Sequence, residues 1–174
     1  MQDAVPTMTD TTQARLAFTE LLERHRGIVY KVANGYAWHA DDRAELAQEI
    51  ATQLWRAFPG YDPARSFSTW MYRVALNVGI SHLRRDSQRQ NHSVPIDDEL
   101  HDLADASAAD PAEKHQLGQL QRVIAALDPL DRALMLLYLE ERSNREIGDI
   151  LGLSESNVST KVSRLKQRIR EQFS

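Results

Sequence analysis

The sequence predicts an all-α fold, in which two small helical domains are joined by a flexible acidic linker. Apolar residues recur every three or four positions in nearly every periodic segment, which is the spacing of one helix face, and alternating strand patterns are absent. A polar, acidic stretch rich in Ala and Ser interrupts this periodicity at 87–110. Because 174 residues suit one domain or two small ones, we predict domains at 10–86 and 111–174.

Four helices are predicted in the first domain. The first starts near Asp10, the second covers about 28–38, the third starts at Asp42 and the fourth covers about 66–85. Asp42 followed by Glu45 has the form of a capping box. The apolar positions expected to face the core are Leu16, Phe18, Leu21, Leu22, Ile28, Val29, Val32, Leu46, Ala47, Ile50, Leu54, Trp55 and Phe58.

The fourth helix carries two contrasting stripes. An apolar stripe of Phe67, Trp70, Met71, Val74 and Val78 is predicted to face the core. A stripe of cations, an amide and hydroxyls beside aromatic rings suits single-stranded DNA, whose bases stack and whose phosphates need cations. The alternative is a solvated polar face. This second stripe consists of Thr69, Arg73, Asn77, Ser81 and Arg84, with Tyr72 and Arg85 beside it.

The loop before the fourth helix, residues 61–66, is short, polar and stiffened by Pro63. Such a loop can form the rim of a pocket for a base that is turned out of the stack.

The second domain begins with two helix-start signals. Asp110 and Asp128 are each followed by Pro, so a good N-cap residue precedes the residue preferred at the first helical position. The apolar positions that follow these two starts are Leu117, Leu120, Val123, Ile124, Leu127, Leu134, Leu137 and Tyr138.

The segment SNREIGDILGLSESNVSTKVSRLKQRIR at 143–170 has the form of a helix-turn-helix. Ser143 with Glu146 forms a capping box, Gly152 suits a left-handed helix end, and Ser154 restarts the chain as an N-cap. Val158, Val162, Leu165 and Ile169 define one buried stripe of the second helix. The alternative is an amphipathic hairpin with a solvated face. The donors left for phosphates and base edges are Ser156, Asn157, Ser159, Thr160, Lys161, Ser163, Arg164, Lys166 and Arg168.

The net charge of −4 hides a segregated charge distribution. Residues 97–113 carry seven carboxylates and no Lys or Arg, whereas residues 161–170 carry five Lys or Arg and no acid. A second basic cluster lies at 84–89. Because local fields govern contact with nucleic acid, these two basic patches matter more than the averaged charge.

Composition and spacing argue against several classes of protein. There is no cysteine, which excludes disulfides and fits a reducing compartment. No apolar run approaches the roughly 20 residues that span a bilayer, and the start MQDAVPTMTDTTQ does not resemble a signal peptide. The six histidines show no metal-ligand spacing, and neither a glycine-rich phosphate loop nor a nucleophilic triad is evident. We expect a cytoplasmic, non-catalytic protein without cofactor or metal.

Two motif blocks, in this order, resemble the extracytoplasmic-function (ECF) sigma factors, the minimal bacterial initiation factors of the sigma-70 family. The first is DRAELAQEIATQLWRAFPGYDPARSFSTWMYRVALNVGISHLRR; the second, after the acidic linker, is ALDPLDRALMLLYLEERSNREIGDILGLSESNVSTKVSRLKQRI. The resemblance extends from about residue 15 to 172. It implies a specificity subunit that binds core RNA polymerase, directs it to promoters and helps open the DNA.

The resemblance also implies a role for each domain. Residues 10–86 are similar to region 2, which binds the clamp of the largest polymerase subunit and recognises and melts the minus-ten element. Residues 111–174 are similar to region 4, which reads the minus-thirty-five element as duplex and meets the flap of the second subunit. The implied partners are core polymerase, promoter DNA and, as the family allows, an anti-sigma factor. Binding to polymerase would bring the protein to the nucleoid.

Three sets of residues follow from the resemblance. Polymerase would be bound by Asp42, Glu45, Gln48, Glu49, Gln53 and Arg56. The single-stranded minus-ten element would be held by Asp62, Arg65, Thr69, Tyr72, Arg73, Asn77, Arg84 and Arg85. The upstream element would be read by Ser156, Asn157, Ser159, Thr160, Lys161, Ser163, Arg164 and Arg168.

One departure from the family pattern bears on polymerase binding. Where the family often shows Asp-Ala-Glu-Asp, this chain has Asp42-Arg43-Ala44-Glu45. Since an exposed ion pair contributes about 0.2–1 kcal/mol, we expect clamp binding to survive in a weakened form. Whether the chain needs an activating modification or partner stays open.

The main alternative is a freestanding helix-turn-helix regulator that binds duplex DNA without polymerase. The second domain by itself fits both hypotheses. The first motif block, with its aromatic and basic stripe, argues against such a regulator. A dimeric regulator would also need an evident dimerisation helix, and none stands out in the sequence. The promoter sequence, the activating signal and any anti-sigma partner are not readable from the chain.

Overall fold

The computed structural model describes residues 8–90 and 110–173. Within these two ranges every regular element is a helix, which confirms the predicted all-α class. In the part of the chain that the structure describes, a short 3-10 turn at Phe58–Gly60 accompanies eight α-helices. These are α1 (Met8–Arg24), α2 (Arg26–Tyr36), α3 (Ala40–Ala57), α4 (Phe67–Gln90), α5 (Pro111–Ala125), α6 (Pro129–Leu139), α7 (Asn144–Leu151) and α8 (Glu155–Phe173).

The first unit is a bundle in which α2, α3 and α4 pack against one another. Phe18 of α1 joins this bundle, its ring centroid lying 5.2 Å from that of Trp55 and 5.1 Å from that of Phe58. Leu16, which we predicted to face the core, is 66% exposed. Residues two positions apart lie on nearly opposite sides of a helix, so a face that buries Phe18 turns Leu16 to solvent.

The start of α3 differs from the prediction. The helix begins at Ala40 with His39 as N-cap, and no side chain caps it. The capping box predicted for Asp42 and Glu45 is therefore wrong. Asp41 and Asp42 instead lie in the first turn, where the positive end of the helix dipole stabilises their carboxylates.

The apolar stripe of α4 forms the centre of this bundle, as predicted. Phe67, Met71 and Val78 are buried, while Trp70 and Val74 lie half-buried at the margin. The helix continues to Gln90, beyond the predicted end at Arg85. Residues 91–109, which hold most of the predicted linker, lie outside the described residues.

The second unit is built from α5 to α8. Asp128 caps α6 by accepting a hydrogen bond from the Asp131 backbone N–H at 2.9 Å. α6, α7 and α8 pack around a buried core of Leu134, Leu137, Ile147, Val158, Val162 and Leu165. None of the fifteen residues of α5 is fully buried, so this helix lies at the edge of the unit.

The two units pack directly on each other, a contact that the sequence did not predict. α6 and α7 lie against α4, and α5 and α6 lie against α2. The Tyr36 hydroxyl donates to the carbonyl of Pro129 at 2.8 Å. Leu136 fills the space beside Gly35, where an added Cβ would lie 2.6 Å from Leu136 Cδ1. The buried residues of both units thus form one continuous core.

Candidate nucleic-acid interface

The α7–α8 pair has the local structure that the sequence predicted for a helix-turn-helix. The Glu146 backbone N–H donates to Ser143 Oγ at 3.2 Å, and the Ser143 N–H donates to Glu146 Oε2 at 2.8 Å. These bonds hold the pKa of Glu146 below its ordinary value, the backbone bond being the larger cause. Ser154 caps α8 by accepting from the Asn157 N–H at 3.2 Å.

Two glycines fix the turn between these helices. Gly152 ends α7 with a φ of 71°, in the left-handed region where a side chain is strained. Gly148 accepts the Leu153 N–H at 3.0 Å, and a Cβ built on it would lie 2.5 Å from the Leu153 carbonyl oxygen. Gly152 was predicted from the sequence but Gly148 was not, because the close approach of Gly148 to the Leu153 carbonyl depends on the geometry of the turn and not on helix periodicity.

The outward face of α8 presents the residues predicted to read duplex DNA. Val158, Val162 and Leu165 are buried, which turns the hydroxyls and cations of the same helix outward. Lys161 is half-buried. The exposed members of the set are Ser156, Asn157, Ser159, Thr160, Ser163, Arg164 and Arg168.

Arg168 is held by an acid of its own unit. Its Nη1 lies 3.2 Å from Asp131 Oδ2, so the guanidinium is oriented before any phosphate binds. Burial is the main cause that raises the pKa of Asp131, and the neighbouring Asp128 adds to it, while Arg168 and Lys161 oppose the shift. Lys166 is likewise held, with its ammonium 5.3 Å from the centre of the Tyr138 ring.

A second polar site lies on α4. The loop at 60–66 and the polar stripe of α4 line one cleft of about 840 Å³. The cleft thus brings together five residues of the predicted single-strand set, namely Asp62, Arg65, Thr69, Arg73 and Asn77.

The loop that rims this cleft is shaped by its own side chains. Asp62 Oδ1 accepts the Ala64 N–H at 2.9 Å, and the Tyr61 hydroxyl donates to the Arg65 carbonyl at 2.9 Å. Asp62 Oδ2 also lies 3.9 Å from Arg65 Nε. These contacts fix the loop backbone and leave the Arg65 side chain exposed beside the cleft.

Aromatic rings form one wall of the cleft. Tyr61 and Trp70 both line it, with their centroids 5.2 Å apart, and Phe67 packs 5.3 Å from Tyr61 and 5.2 Å from Trp70. From the sequence, Trp70 was predicted to face the core alone. The half-buried ring packs against the core and also lines the cleft.

Tyr72 corrects the predicted set. It is 3% exposed, and its ring lies under the Arg142 guanidinium, 5.1 Å from its centre. Burial, as the main cause, raises the pKa of Tyr72. Tyr72 is therefore buried in this structure. It lies beside the polar stripe of α4, and its ring contacts Arg142 of the second unit.

Arg84 and Arg85 lie outside the cleft, farther along α4. Arg84 is exposed, whereas Arg85 pairs with Glu49, its Nη2 lying 2.8 Å from Oε1 and 3.1 Å from Oε2. The ion pair joins a residue of the predicted single-strand set to one of the predicted polymerase-binding set.

The predicted polymerase-binding residues divide between two places. Glu45, Gln48 and Arg56 are exposed on α3, and Glu49 and Gln53 are half-buried on the same helix. Asp42 lines a different cleft, of about 660 Å³, between the two units. Asp42 is half-buried there, whereas the other five residues of the predicted set do not line that cleft.

Arg43, the cation that departs from the family pattern, has a structural role. Its guanidinium donates to the carbonyl of Trp38 at 2.7 Å and so closes the turn before α3.

Among the residues that the structure describes, no three His, Cys, Asp or Glu side chains come together as a metal site. Within the same ranges no helix is long and apolar enough to cross a membrane.

Comparison with known families gives two matches. Residues 21–89 match the model of sigma-70 region 2, and residues 117–169 match that of sigma-70 region 4. The two matched ranges coincide with the two helical units, and the boundary between them falls in the acidic segment.

The chain also resembles whole proteins. It is 27% identical over 170 residues to the ECF RNA polymerase sigma factor SigE of Mycolicibacterium smegmatis, covering 97% of this chain and 66% of that protein. It is 22% identical to the ECF RNA polymerase sigma factor SigW of Bacillus subtilis, covering 90% of this chain and 89% of that protein. The fold matches sigma factor RpoE in its complex with the anti-sigma factor NepR from Bartonella quintana, with a TM-score of 0.71, 18% identity and coverage of 89% and 95%.

Proposed function

Because this chain belongs to the extracytoplasmic-function sigma factors of the sigma-70 family, we propose that its two helical units divide promoter recognition between them. The chain is an RNA polymerase sigma factor, which directs core polymerase to promoters and helps open the DNA. The freestanding regulator is not favoured, since the region 2 match covers a unit that such a regulator does not need.

The upstream element is read by α8. Arg164 and the hydroxyls of Ser159 and Thr160 contact base edges in the major groove, while Arg168 contacts phosphate. The exposed donors of α8, opposite the buried Val158, Val162 and Leu165, support this assignment. A bidentate contact between a side chain and a base discriminates by about 1–3 kcal/mol.

The minus-ten element is held as a single strand by the cleft on α4. Arg73 and Asn77 bind the non-template strand, and the loop at 61–66 selects an extruded base that stacks beside Trp70. The observation that carries this proposal is the cleft itself, in which an aromatic wall, two cations and an amide converge. Arg84 and Arg85 extend the basic track along α4.

Polymerase is bound through the exposed face of α3. Glu45, Gln48 and Arg56, with Glu49 and Gln53 beside them, offer polar contacts for the clamp, while the flap meets the second unit. Because Arg43 bonds to Trp38 instead of facing outward, the departure at this position adds no repulsive cation to that face. Polymerase supplies the chemistry, so the chain acts without catalysis or cofactor, in the cytoplasm and at the nucleoid.

An anti-sigma factor is a further partner. The structural relatives CnrH and RpoE are described in complexes with CnrY and with the anti-sigma factor NepR. We propose that this chain also binds an anti-sigma factor, because those two proteins share its fold.

The decisive experiment is run-off transcription with purified core polymerase. The chain is added to core enzyme and to a library of genomic fragments, and transcripts are sequenced from their starts. We expect starts that share two elements at a fixed spacing. Tight binding to duplex without core binding or transcripts would overturn the proposal.

A further inference from the structure

We propose that Asp131 of α6 makes the duplex-reading face, which is the exposed face of α8, selective for the upstream element. By holding Arg168, its carboxylate weakens the attraction of this face for DNA of any sequence and sets the direction of one phosphate contact. Asp131 is a positioning residue, because it acts through Arg168. The inference rests on the proposed function, since it adds a residue to the machinery that reads the upstream element.

A direct contact joins the carboxylate to the face that reads duplex. Arg168 Nη1 donates to Asp131 Oδ2 at 3.2 Å. The Asp131 side chain is 17% exposed, whereas that of Arg168 is 56% exposed. A guanidinium carries five N–H donors, so Arg168 can bind a phosphate with those that Asp131 does not use. The pair therefore restrains Arg168 without removing it from the surface.

The first turn of α6 fixes the position of Asp131. The Asp131 backbone N–H donates to Asp128 Oδ1 at 2.9 Å, and Pro129 opens the helix. An acid in the first turn also stabilises a helix through its dipole, but an exposed carboxylate can fill that role. Acidic side chains are rarely buried unless they are paired. The low exposure of Asp131 therefore points to its pair with Arg168 and not to the dipole alone.

A second cation of α8 acts on the same carboxylate. Lys161 and Arg168 are seven positions apart, which is close to two helical turns, so they lie along one line of α8. Burial is the main cause that raises the pKa of Asp131, Asp128 adds to it, and the charges of Arg168 and Lys161 oppose it. Asp131 thus lies close enough to both cations to offset part of their charge.

Selectivity follows from this restraint in two ways. Attraction between cations and phosphates is independent of sequence, so a cation that is partly neutralised contributes less to binding of the wrong DNA. Phosphate contacts also fix the register in which base contacts are made. Arg164 is exposed one helical turn before Arg168. A held Arg168 therefore favours the one register in which Arg164 meets its base edge.

Three variants separate the role of this carboxylate from its charge and from its place in the helix. Asp131→Asn keeps the size of the side chain but releases Arg168, and Asp131→Glu keeps a carboxylate that can restore the pair. Asp128→Asn is the matched control. It removes one charge from the same end of α6 and leaves the pair in place, and Asn caps a helix as well as Asp does.

The measurement is fluorescence anisotropy of the whole chain with two duplexes at several salt concentrations. One carries the upstream element that the wild-type holoenzyme selects, and the other is a scrambled sequence of the same composition. Asp131→Asn should bind the scrambled duplex about two- to fivefold more tightly, as expected for release of one exposed ion pair. Its salt slope should steepen by about 0.9, the value for one further phosphate. The selected duplex should gain nothing, so selectivity falls by the same factor.

A double-mutant cycle tests whether Asp131 acts through Arg168. Arg168→Gln removes the other partner at an exposed position, so the fold should persist, and its salt slope should become shallower by about 0.9. Adding Asp131→Asn in this background should change neither the slope nor the selectivity, because the residue it releases is gone. A full effect of Asp131→Asn without Arg168 would overturn the proposal.

The controls decide between positioning and simpler roles. Asp128→Asn should bind both duplexes as the wild type does, and Asp131→Glu should recover most of the lost selectivity. An equal gain on both duplexes, the same change in Asp128→Asn, or a lower melting temperature with wild-type binding would each overturn the proposal. The scrambled duplex needs no promoter, so its result bears on Asp131 alone. Absence of run-off transcripts from the wild type would count against the proposed function instead.

Discussion

Arg164 is the residue whose chemistry most directly tests duplex reading. It is exposed on α8, one helical turn after Thr160. Arg164→Ala should cost about 1–3 kcal/mol of discrimination at one base pair if the guanidinium contacts a base edge. Arg164→Lys keeps the charge but loses the planar fork, so it should lose discrimination while retaining salt dependence.

The measurement is anisotropy with a duplex that the wild-type holoenzyme selects, titrated at several salt concentrations. Each base pair of the upstream element is then varied in turn. A uniform loss over all sequences, with a shallower salt slope for Arg164→Ala, would assign this residue to phosphate contact instead.

The capping box of α7 is a second test at the scale of single residues. Because the folded-state pKa of Glu146 is lowered, mainly by the Ser143 N–H, its carboxylate contributes stability that is present above the ordinary pKa. That contribution is lost as the pH falls through the lowered value. Glu146→Gln should therefore destabilise the chain near neutral pH, and the difference should shrink under acid conditions below about pH 4.

Urea unfolding of wild type and Glu146→Gln across this pH range checks the prediction. Glu155→Gln, which removes a carboxylate from the first turn of α8, is the matched control. A difference between wild type and Glu146→Gln that stays constant into acid would show that the side chain acts by packing and not through its charge.

At the scale of elements, the angle between α7 and α8 depends on close backbone approach. Gly148→Ala would drive a Cβ against the Leu153 carbonyl oxygen, a backbone atom that cannot rotate away. We expect destabilisation by about 1–3 kcal/mol, as for other overpacked sites, together with weaker duplex binding. Gly118→Ala in α5 is the control, because its Cβ meets no atom and alanine favours a helix.

Thermal unfolding and duplex anisotropy are measured on both variants. Gly118→Ala should be neutral or stabilising and should bind duplex as the wild type does. If Gly148→Ala retained full stability and affinity, the tight turn would not be what positions α8.

α4 combines a structural and a binding role within one helix. Its buried stripe of Phe67, Met71 and Val78 fixes the helix in the bundle, and this fixes the direction in which Arg73 and Asn77 point. Asn77→Ala should leave folding intact, because the residue is exposed, but should impair promoter opening. Permanganate footprinting of the holoenzyme reports opening, while duplex affinity of the same variant should be unchanged.

For the whole molecule, the docking of the two units should weaken at alkaline pH. Burial is the main cause that raises the pKa of Tyr36, with Arg132 opposing it and Asp128 adding to it. The hydrogen bond to Glu140 is the main cause that raises the pKa of Lys31. Tyr36 therefore favours docking of the two units while it is neutral, and Lys31 favours it while it is charged. Both contributions fall as the pH rises above about 10.

The distance between spin labels on cysteines introduced at the exposed positions Thr52 and Gln167, measured from neutral to alkaline pH, checks this expectation, with far-ultraviolet circular dichroism to show that the helices persist. Tyr36→Phe loses the hydrogen bond to Pro129, so it should open at lower pH than the wild type does. A distance that stays short until the helices melt would show that docking and folding are one transition.

The sequence by itself determined the helices and the family. Helix periodicity, the capping box at Ser143 and the left-handed Gly152 are local signals, each set by a few neighbouring residues, and the structure confirms them. The polar stripe of α4 was also readable, because side chains four residues apart share one helix face. The capping box at Asp42 failed, since an acid in the first turn is stabilised by the helix dipole without being the cap.

Only the tertiary structure decided how the two units meet. The contacts of Arg132 with Gly35 and of Arg73 with Asp149 join residues 97 and 76 positions apart. The burial of Tyr72 and the position of Asp42 in a cleft between the units follow from the same docking. Such contacts arise from the matching of two surfaces built from different parts of the chain, and the spacing of residues along one helix carries no information about that match.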